Sequence, residues 1–97
     1  MSNLVTATET EIRDFLEENP LWTIENNSLV REIVASNFVS AVGLINSIAI
    51  LSEKHDHHPD ILLYGWNKLR VVLTTHAANG ITSKDFSLAK EIDFLIN

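Results

Sequence analysis

Residues 38 to 51, Phe38-Val39-Ser40-Ala41-Val42-Gly43-Leu44-Ile45-Asn46-Ser47-Ile48-Ala49-Ile50-Leu51, carry apolar side chains almost all the way round a helix. Such a helix needs cover on two sides, which rules out a simple arrangement with one face in water. One face, Phe38, Val42, Ile45 and Ala49, is expected to lie on a sheet. Val39, Leu44, Ile48 and Leu51 then require a second surface. In a chain of 97 residues that surface is most simply another subunit packed helix against helix, the alternative being the last helix or a loop. Ser36 or Asn37 can cap the start, and Pro59 is expected to end the run by biasing His58 away from helical angles.

The segments on either side supply the sheet. Thr8-Glu9-Thr10-Glu11 has the spacing of a capping box, and Ile12, Phe15 and Leu16 recur at helical intervals until Asn19-Pro20. Leu21–Glu25 and Leu29–Ala35 hold β-favouring residues around Asn26-Asn27-Ser28, and asparagine tolerates the positive φ of a tight hairpin turn. Ile61–Trp66 and Leu69–Thr75 read as a second hairpin joined at Asn67-Lys68. Thr82 can cap a last helix with Asp85 at its third position and Leu88, Ile92 and Leu95 as its inward stripe. The order is αββαββα, an α+β fold: a four-stranded antiparallel sheet with three helices on one face.

A chain of this size supports a single hydrophobic core, so residues 1–97 are read as one domain, with residues 1–7 expected to lack fixed structure. The net charge is −6, and the seven Lys and Arg residues are scattered singly, so no basic stripe exists to neutralise phosphates and direct nucleic-acid binding is not expected. Cysteine is absent, which removes disulfides, thiolate nucleophiles and thiolate metal sites. No signal-peptide pattern and no bilayer-spanning apolar stretch is seen, and a cytoplasmic protein without membrane attachment is the expectation.

Three of the four histidines, His55, His57 and His58, lie where the long helix should end, and His76 follows the last strand. Imidazole titrates near neutrality, with an ordinary pKa of roughly 6.5, so clustered histidines suit proton transfer or metal binding. Metal is disfavoured by the spacing: His55 and His57 are two residues apart and point to different sides of a helix, whereas paired ligands need a separation of three or four. Taken singly, a histidine here does no more than complement the negative end of the helix dipole. No serine elbow and no glycine-rich phosphate loop is present.

The longer spacing is more specific. Glu53, His57-His58-Pro59, Trp66, His76 and Asp85 follow one another at intervals of three, six, nine and eight residues. Leu29-x-Arg31-Glu32, Phe38, Leu73-Thr74-Thr75-His76 and Gly80-Ile81-Thr82-x-x-Asp85 extend the pattern outward. This series resembles the signature of the pterin-4a-carbinolamine dehydratase family over Trp22 to about Asp93, with the first helix only loosely matched. The αββαββα fold that the resemblance implies agrees with the one read from the residues.

The resemblance implies a lyase that dehydrates 4a-hydroxytetrahydropterin to quinonoid dihydropterin and water, recycling the pterin cofactor of aromatic amino-acid hydroxylases. Histidine fits that chemistry: an acid must protonate the departing hydroxyl while a base takes the N5 proton, each role contributing about 10²- to 10⁴-fold. By the same resemblance His57 and His76 are the acid-base pair and His58 holds the pterin. Asp85 either orients a histidine or merely caps its helix, and Glu53 either supports His57 or forms a surface pair. Trp66 either walls the pterin site or packs in the core, while His55 and Asp56 are read as solvated. No metal or organic cofactor is implied, the pterin being substrate. A homodimer or homotetramer is expected, with a hydroxylase or a transcription factor as a further protein partner. The competing readings are a non-catalytic dimerisation or transcriptional cofactor module using the second-helix face, and a metal-binding or different pterin-binding protein.

Overall fold

The computed structural model describes residues 4–96, and its element order is the one expected: α1 (Glu9–Glu18), β1 (Trp22–Glu25), β2 (Ser28–Val34), α2 (Phe38–His55), β3 (Asp60–Tyr64), β4 (Lys68–Leu73) and α3 (Ser83–Ile96), with a short 3₁₀ turn at His76–Ala78. The strands form one antiparallel sheet in the order β1-β2-β4-β3. β2 and β4 are central, so their inward residues Leu29, Ile33, Leu69, Val71 and Leu73 are sealed by both neighbours and by the helices. Of residues 1–7, the first three lie outside the described residues, whereas Ala7 donates its N–H to the Ile81 carbonyl at 2.7 Å.

Local chemistry accounts for most boundaries. The Thr8 hydroxyl accepts from Glu11 N–H and the Glu11 carboxylate accepts from Thr8 N–H, the reciprocal capping box that starts α1. The Asn37 side chain caps α2 by accepting from Ser40 N–H at 2.8 Å. Asn26 and Asn27, at φ 48 and 63, turn the first hairpin with no intervening residue, since Glu25 pairs with Ser28.

Three expectations need correction. The second hairpin turns at Gly65 and Trp66, with φ 54 and 59, rather than at Asn67-Lys68; Lys68 already pairs with Tyr64. Pro59 does not end α2. Asp56 does so in the left-handed region at φ 49, its N–H bonding to Ser52 and Glu53 carbonyls, and His57 N–H reaches the Ser52 carbonyl at 3.0 Å. The inward face of α2 is Ala41, Ile48 and Ser52, flanked by Leu44, Ile45 and Leu51, while Phe38, Val42 and Ala49 point outward. A similar shift occurs in α3: Leu88, Ala89 and Ile92 are buried, but Leu95 is 40% exposed.

On the open face of the sheet, Glu32 accepts from Tyr64 Oη and Arg70 Nη1, both at 2.5 Å, and Arg70 Nη2 reaches Glu25 at 2.5 Å. The Tyr64 hydroxyl first and Arg70 second hold the Glu32 carboxyl below its ordinary range, and the bond to Glu32 raises the Tyr64 phenol. These exposed groups register the strands more than they stabilise them. Among the described residues no helix is long and apolar enough to cross a membrane.

Helix α3 is tied to the sheet by a different pairing. Arg31, on the inward face of β2 and almost wholly buried, forms an ion pair with Asp93, whose Oδ1 also accepts from Trp22 Nε1 at 2.8 Å. Arg31 Nε has no partner among the described residues, so the guanidinium depends on Asp93. Asp93→Ala leaves that charge buried and unpaired and should cost about 3 kcal/mol, read as a lower urea midpoint at unchanged slope. A loss below about 1 kcal/mol would show that the pair is not the anchor of α3.

Candidate active site

The C-terminal end of α2, the segment after β4 and the start of α3 meet at one end of the central strands, and Asp85 sits between them, fully buried. Burial of a carboxylate is costly without hydrogen bonds, and here both oxygens are occupied. Oδ2 accepts from Thr82 N–H at 2.9 Å and from Thr75 Oγ1 at 2.8 Å, while Oδ1 faces His57 Nε2 at 2.5 Å. Capping and orientation, the two roles open to Asp85 from sequence, are thus performed together by different oxygens.

The bonds around Asp85 have a forced direction. Lys84 N–H donates to Thr82 Oγ1 at 3.2 Å, Thr82 and Thr75 hydroxyls lie 2.8 Å apart, and Thr75 donates to the carboxylate. Thr82 must therefore donate to Thr75. The carboxylate accepts everywhere, so His57 contacts it through a protonated Nε2 and keeps Nδ1 as its remaining nitrogen. In its neutral form that nitrogen is a lone-pair base; once protonated it is an acid.

His57 is 8% exposed, held inward by the left-handed Asp56 cap described above, and it opens on a cleft of about 230 Å³. His58, His76, Thr74, Lys84 and Leu4 also line that cleft. His76 reaches it from a tight excursion: Thr75 and Gly80 exchange backbone bonds at 2.9 and 3.3 Å, so residues 76–79 project from the end of β4. Gly80 permits close approach there, because a Cβ would lie 3.1 Å from Asn27 Nδ2 and 3.3 Å from Thr6 Cγ2.

The structure brings His57, His58, His76 and Asp85 together and separates the rest. Glu53 does not meet His57; it pairs with the exposed His58 at 2.7 Å. Trp66 lies outside this chain's cleft, at the far end of the β3–β4 hairpin, with β3 spanning roughly 13 Å between. It is 63% exposed and in a turn, so it is neither cleft wall nor core here. His55 is not simply solvated: its Nε2 pairs with Glu91 on α3, which Lys54 also approaches at 3.4 Å. The bond from His55, and then Lys54, hold the Glu91 carboxyl below its ordinary value. Asp56, read as solvated, lines the cleft, and Thr75 and Thr82, which lay in the matched runs with Thr82 read only as a helix cap, bond to each other beside Asp85; Lys84 had no signal in the sequence. Among the described residues no three His, Asp or Glu side chains form a metal-binding group.

Replacing Asp85 with asparagine tests the derived tautomer. The Thr75 and Thr82 donors should claim the amide oxygen, turn its NH₂ toward His57 and force the proton onto Nδ1. Imidazole ¹⁵N NMR of neutral His57 should then read Nε2–H in the parent protein and Nδ1–H in Asp85→Asn. An unchanged tautomer would contradict the assigned bond direction.

Residues 5–95 match the family model described as Pterin 4 alpha carbinolamine dehydratase. A protein of Prochlorococcus marinus (strain NATL2A) named "Putative pterin-4-alpha-carbinolamine dehydratase" is 45% identical over 87 residues, 90% of each chain. One of the same name from Chloroflexus aurantiacus is 45% identical over 85 residues, covering 88% of this chain and 90% of its own. Among solved structures, a transcriptional coactivator/pterin dehydratase from Brucella melitensis superposes with a TM-score of 0.90 at 27% identity, covering 96% of this chain and all of its own. A pterin dehydratase-like RuBisCO assembly factor of the alpha-carboxysome superposes at 0.61 with 17% identity over 76% of this chain and 84% of its own, a likeness of fold alone. On its sequence match over nearly the whole length, the chain belongs to the pterin-4a-carbinolamine dehydratase family.

Proposed function

We propose that this protein is a hydro-lyase that dehydrates 4a-hydroxytetrahydropterin to quinonoid dihydropterin, with His57 and His76 as the acid-base pair. The observation that carries the reading is that both imidazoles line one cleft while buried Asp85 orients His57. Dehydration breaks the C4a–O bond and removes the N5 proton as the C4a–N5 double bond forms. One imidazolium protonates the departing hydroxyl, which leaves as water, and a neutral imidazole accepts the N5 proton. Asp85 holds the His57 ring through Nε2–H, which leaves Nδ1 as the nitrogen for proton transfer. Electrons balance without a redox partner, so the pterin is substrate and the chain's own groups supply the proton transfers.

His58 is exposed at the rim of the cleft, where its Nε2 pairs with Glu53, and we assign it to binding. The biological setting that fits is recycling of the pterin used by aromatic amino-acid hydroxylases in the cytoplasm. That the buried Thr75–Thr82–Asp85–His57 network ends in an imidazole lining a cleft favours catalysis over a purely non-catalytic interaction module.

The decisive assay generates the carbinolamine and follows its dehydration spectrally. Addition of the protein should exceed the spontaneous rate; an unchanged rate overturns the proposal. His57→Ala and His76→Ala should each lower kcat by roughly 10²-fold or more, and His58→Ala should act mainly on KM.

Assembly rests on the outer face of α2. Phe38, Val39, Val42, Ala49 and Ile50 form one apolar stripe there, Val39 being 78% and Ile50 71% exposed. Ile48, expected on this surface from sequence, is instead fully buried in the chain's own core, and Leu44 and Leu51 are partly so. We propose a homo-oligomer that covers this stripe. Sedimentation equilibrium at micromolar concentration should return a dimer or tetramer, and Val39→Glu with Ile50→Glu should shift it toward monomer. A monomeric parent protein would remove this reading of α2.

A further inference from the structure

The segment that precedes α1 reaches the cleft shared by His57 and His76. Ala7 donates its N–H to the Ile81 carbonyl at 2.7 Å, next to Gly80, whose own backbone pairs with Thr75. Thr6 lies so close to Gly80 that a Cβ there would come within 3.3 Å of Thr6 Cγ2, as it would within 3.1 Å of Asn27 Nδ2. Gly80 has no positive φ, so its missing side chain serves these close approaches and not a left-handed turn. Residues 6 and 7 are fastened along Gly80 and Ile81, the link between the His76 excursion and α3.

That course brings Leu4 to the cleft. Leu4 is half-buried and lines it, whereas the adjacent Val5 is 74% exposed and does not. Apart from Leu4 and Ala77, every lining side chain is polar or charged. Hydrogen-bonding groups recognise the edge of a flat heterocycle, and its faces are covered best by apolar carbon. Among the described residues Leu4 is the one large aliphatic side chain that the cleft has for that purpose.

We propose that residues 4–7 form a strap that completes the pterin site, with Leu4 packed on a face of the bound ring as a binding residue. The inference rests on reading this cleft as the carbinolamine site, and it gives a function to a stretch that the histidine spacing does not touch. An aliphatic contact with the ring is made alike in substrate and transition state, so it adds affinity and takes no part in the proton transfers. The strap is held to Ile81 by a backbone bond at Ala7, so Leu4 can be replaced without releasing it.

Leu4→Ala removes the contact, Leu4→Met restores most of the carbon, and Val5→Ala is the control for a change in the strap outside the cleft. Thermal melts of all three check that the fold is retained. For dehydration of a 6-methyl carbinolamine, Leu4→Ala should raise KM about 3- to 10-fold, with kcat within about 2-fold of the parent value. Leu4→Met should bring KM back near that of the parent, and Val5→Ala should leave both constants unchanged. An unchanged KM in Leu4→Ala, or an equal rise in Val5→Ala, overturns the strap. Methyl NMR of the parent protein reads the contact without turnover: added 6-methylpterin, an aromatic ring, should move the Leu4 methyl signals upfield and leave those of Val5 in place. Unmoved Leu4 methyls overturn the proposal. Should the parent protein fail to dehydrate the carbinolamine, the dehydratase reading falls, while an upfield shift confined to Leu4 still supports the strap as a wall of a pterin-binding cleft.

Discussion

The Asp85 carboxylate is the constraint on which the functional end of this molecule depends. It is fully buried, and a buried carboxylate persists only where donors surround it. Those donors come from the residue that precedes α3, from the segment just after β4 and from the residue after the α2 cap. The same bonds that start a helix and fasten it to a strand therefore also set the orientation of an imidazole. Fold and site share one network, so neither can be rearranged without the other.

The two histidines beside the cleft are held differently. His57 is buried, its backbone closing the last turn of α2 and its ring bonded to Asp85. His76 is exposed and sits on a short excursion pinned at its base by Thr75 and Gly80 and at its far side by Asn27. One imidazole is fixed with a defined tautomer, and the other is carried on an exposed turn.

Helix α2 shows how a nearly all-round apolar helix is accommodated in a small chain. Its inner side, Ala41, Ile48 and Ser52, meets the core, and its outer side, Phe38, Val39, Val42 and Ile50, faces away. The two sides are centred roughly 120° apart at 3.6 residues per turn, so the apolar surface is divided between the chain's own core and one exposed stripe. The requirement for two coverings was legible in the composition of the segment. Which residue met which covering was not, because with apolar groups on every side the periodic signal that orients a helix is weak.

The sequence by itself determined the element order, the Thr8 cap, an α2 cap at Ser36 or Asn37 and the Asn26-Asn27 turn, because each of these depends on near neighbours along the chain. It misplaced the second hairpin turn and the end of α2, where Gly65, Trp66 and Asp56 take up left-handed backbone that pattern and proline position do not reveal. Only the tertiary structure decided that Glu53 meets His58 and not His57, that Trp66 lies far from the cleft, and that Asp85 serves two masters through separate oxygens. Those outcomes, from Glu53 and His58 five residues apart to His57 and Asp85 28 apart, are settled by packing and by the need to satisfy buried polar atoms rather than by local preference.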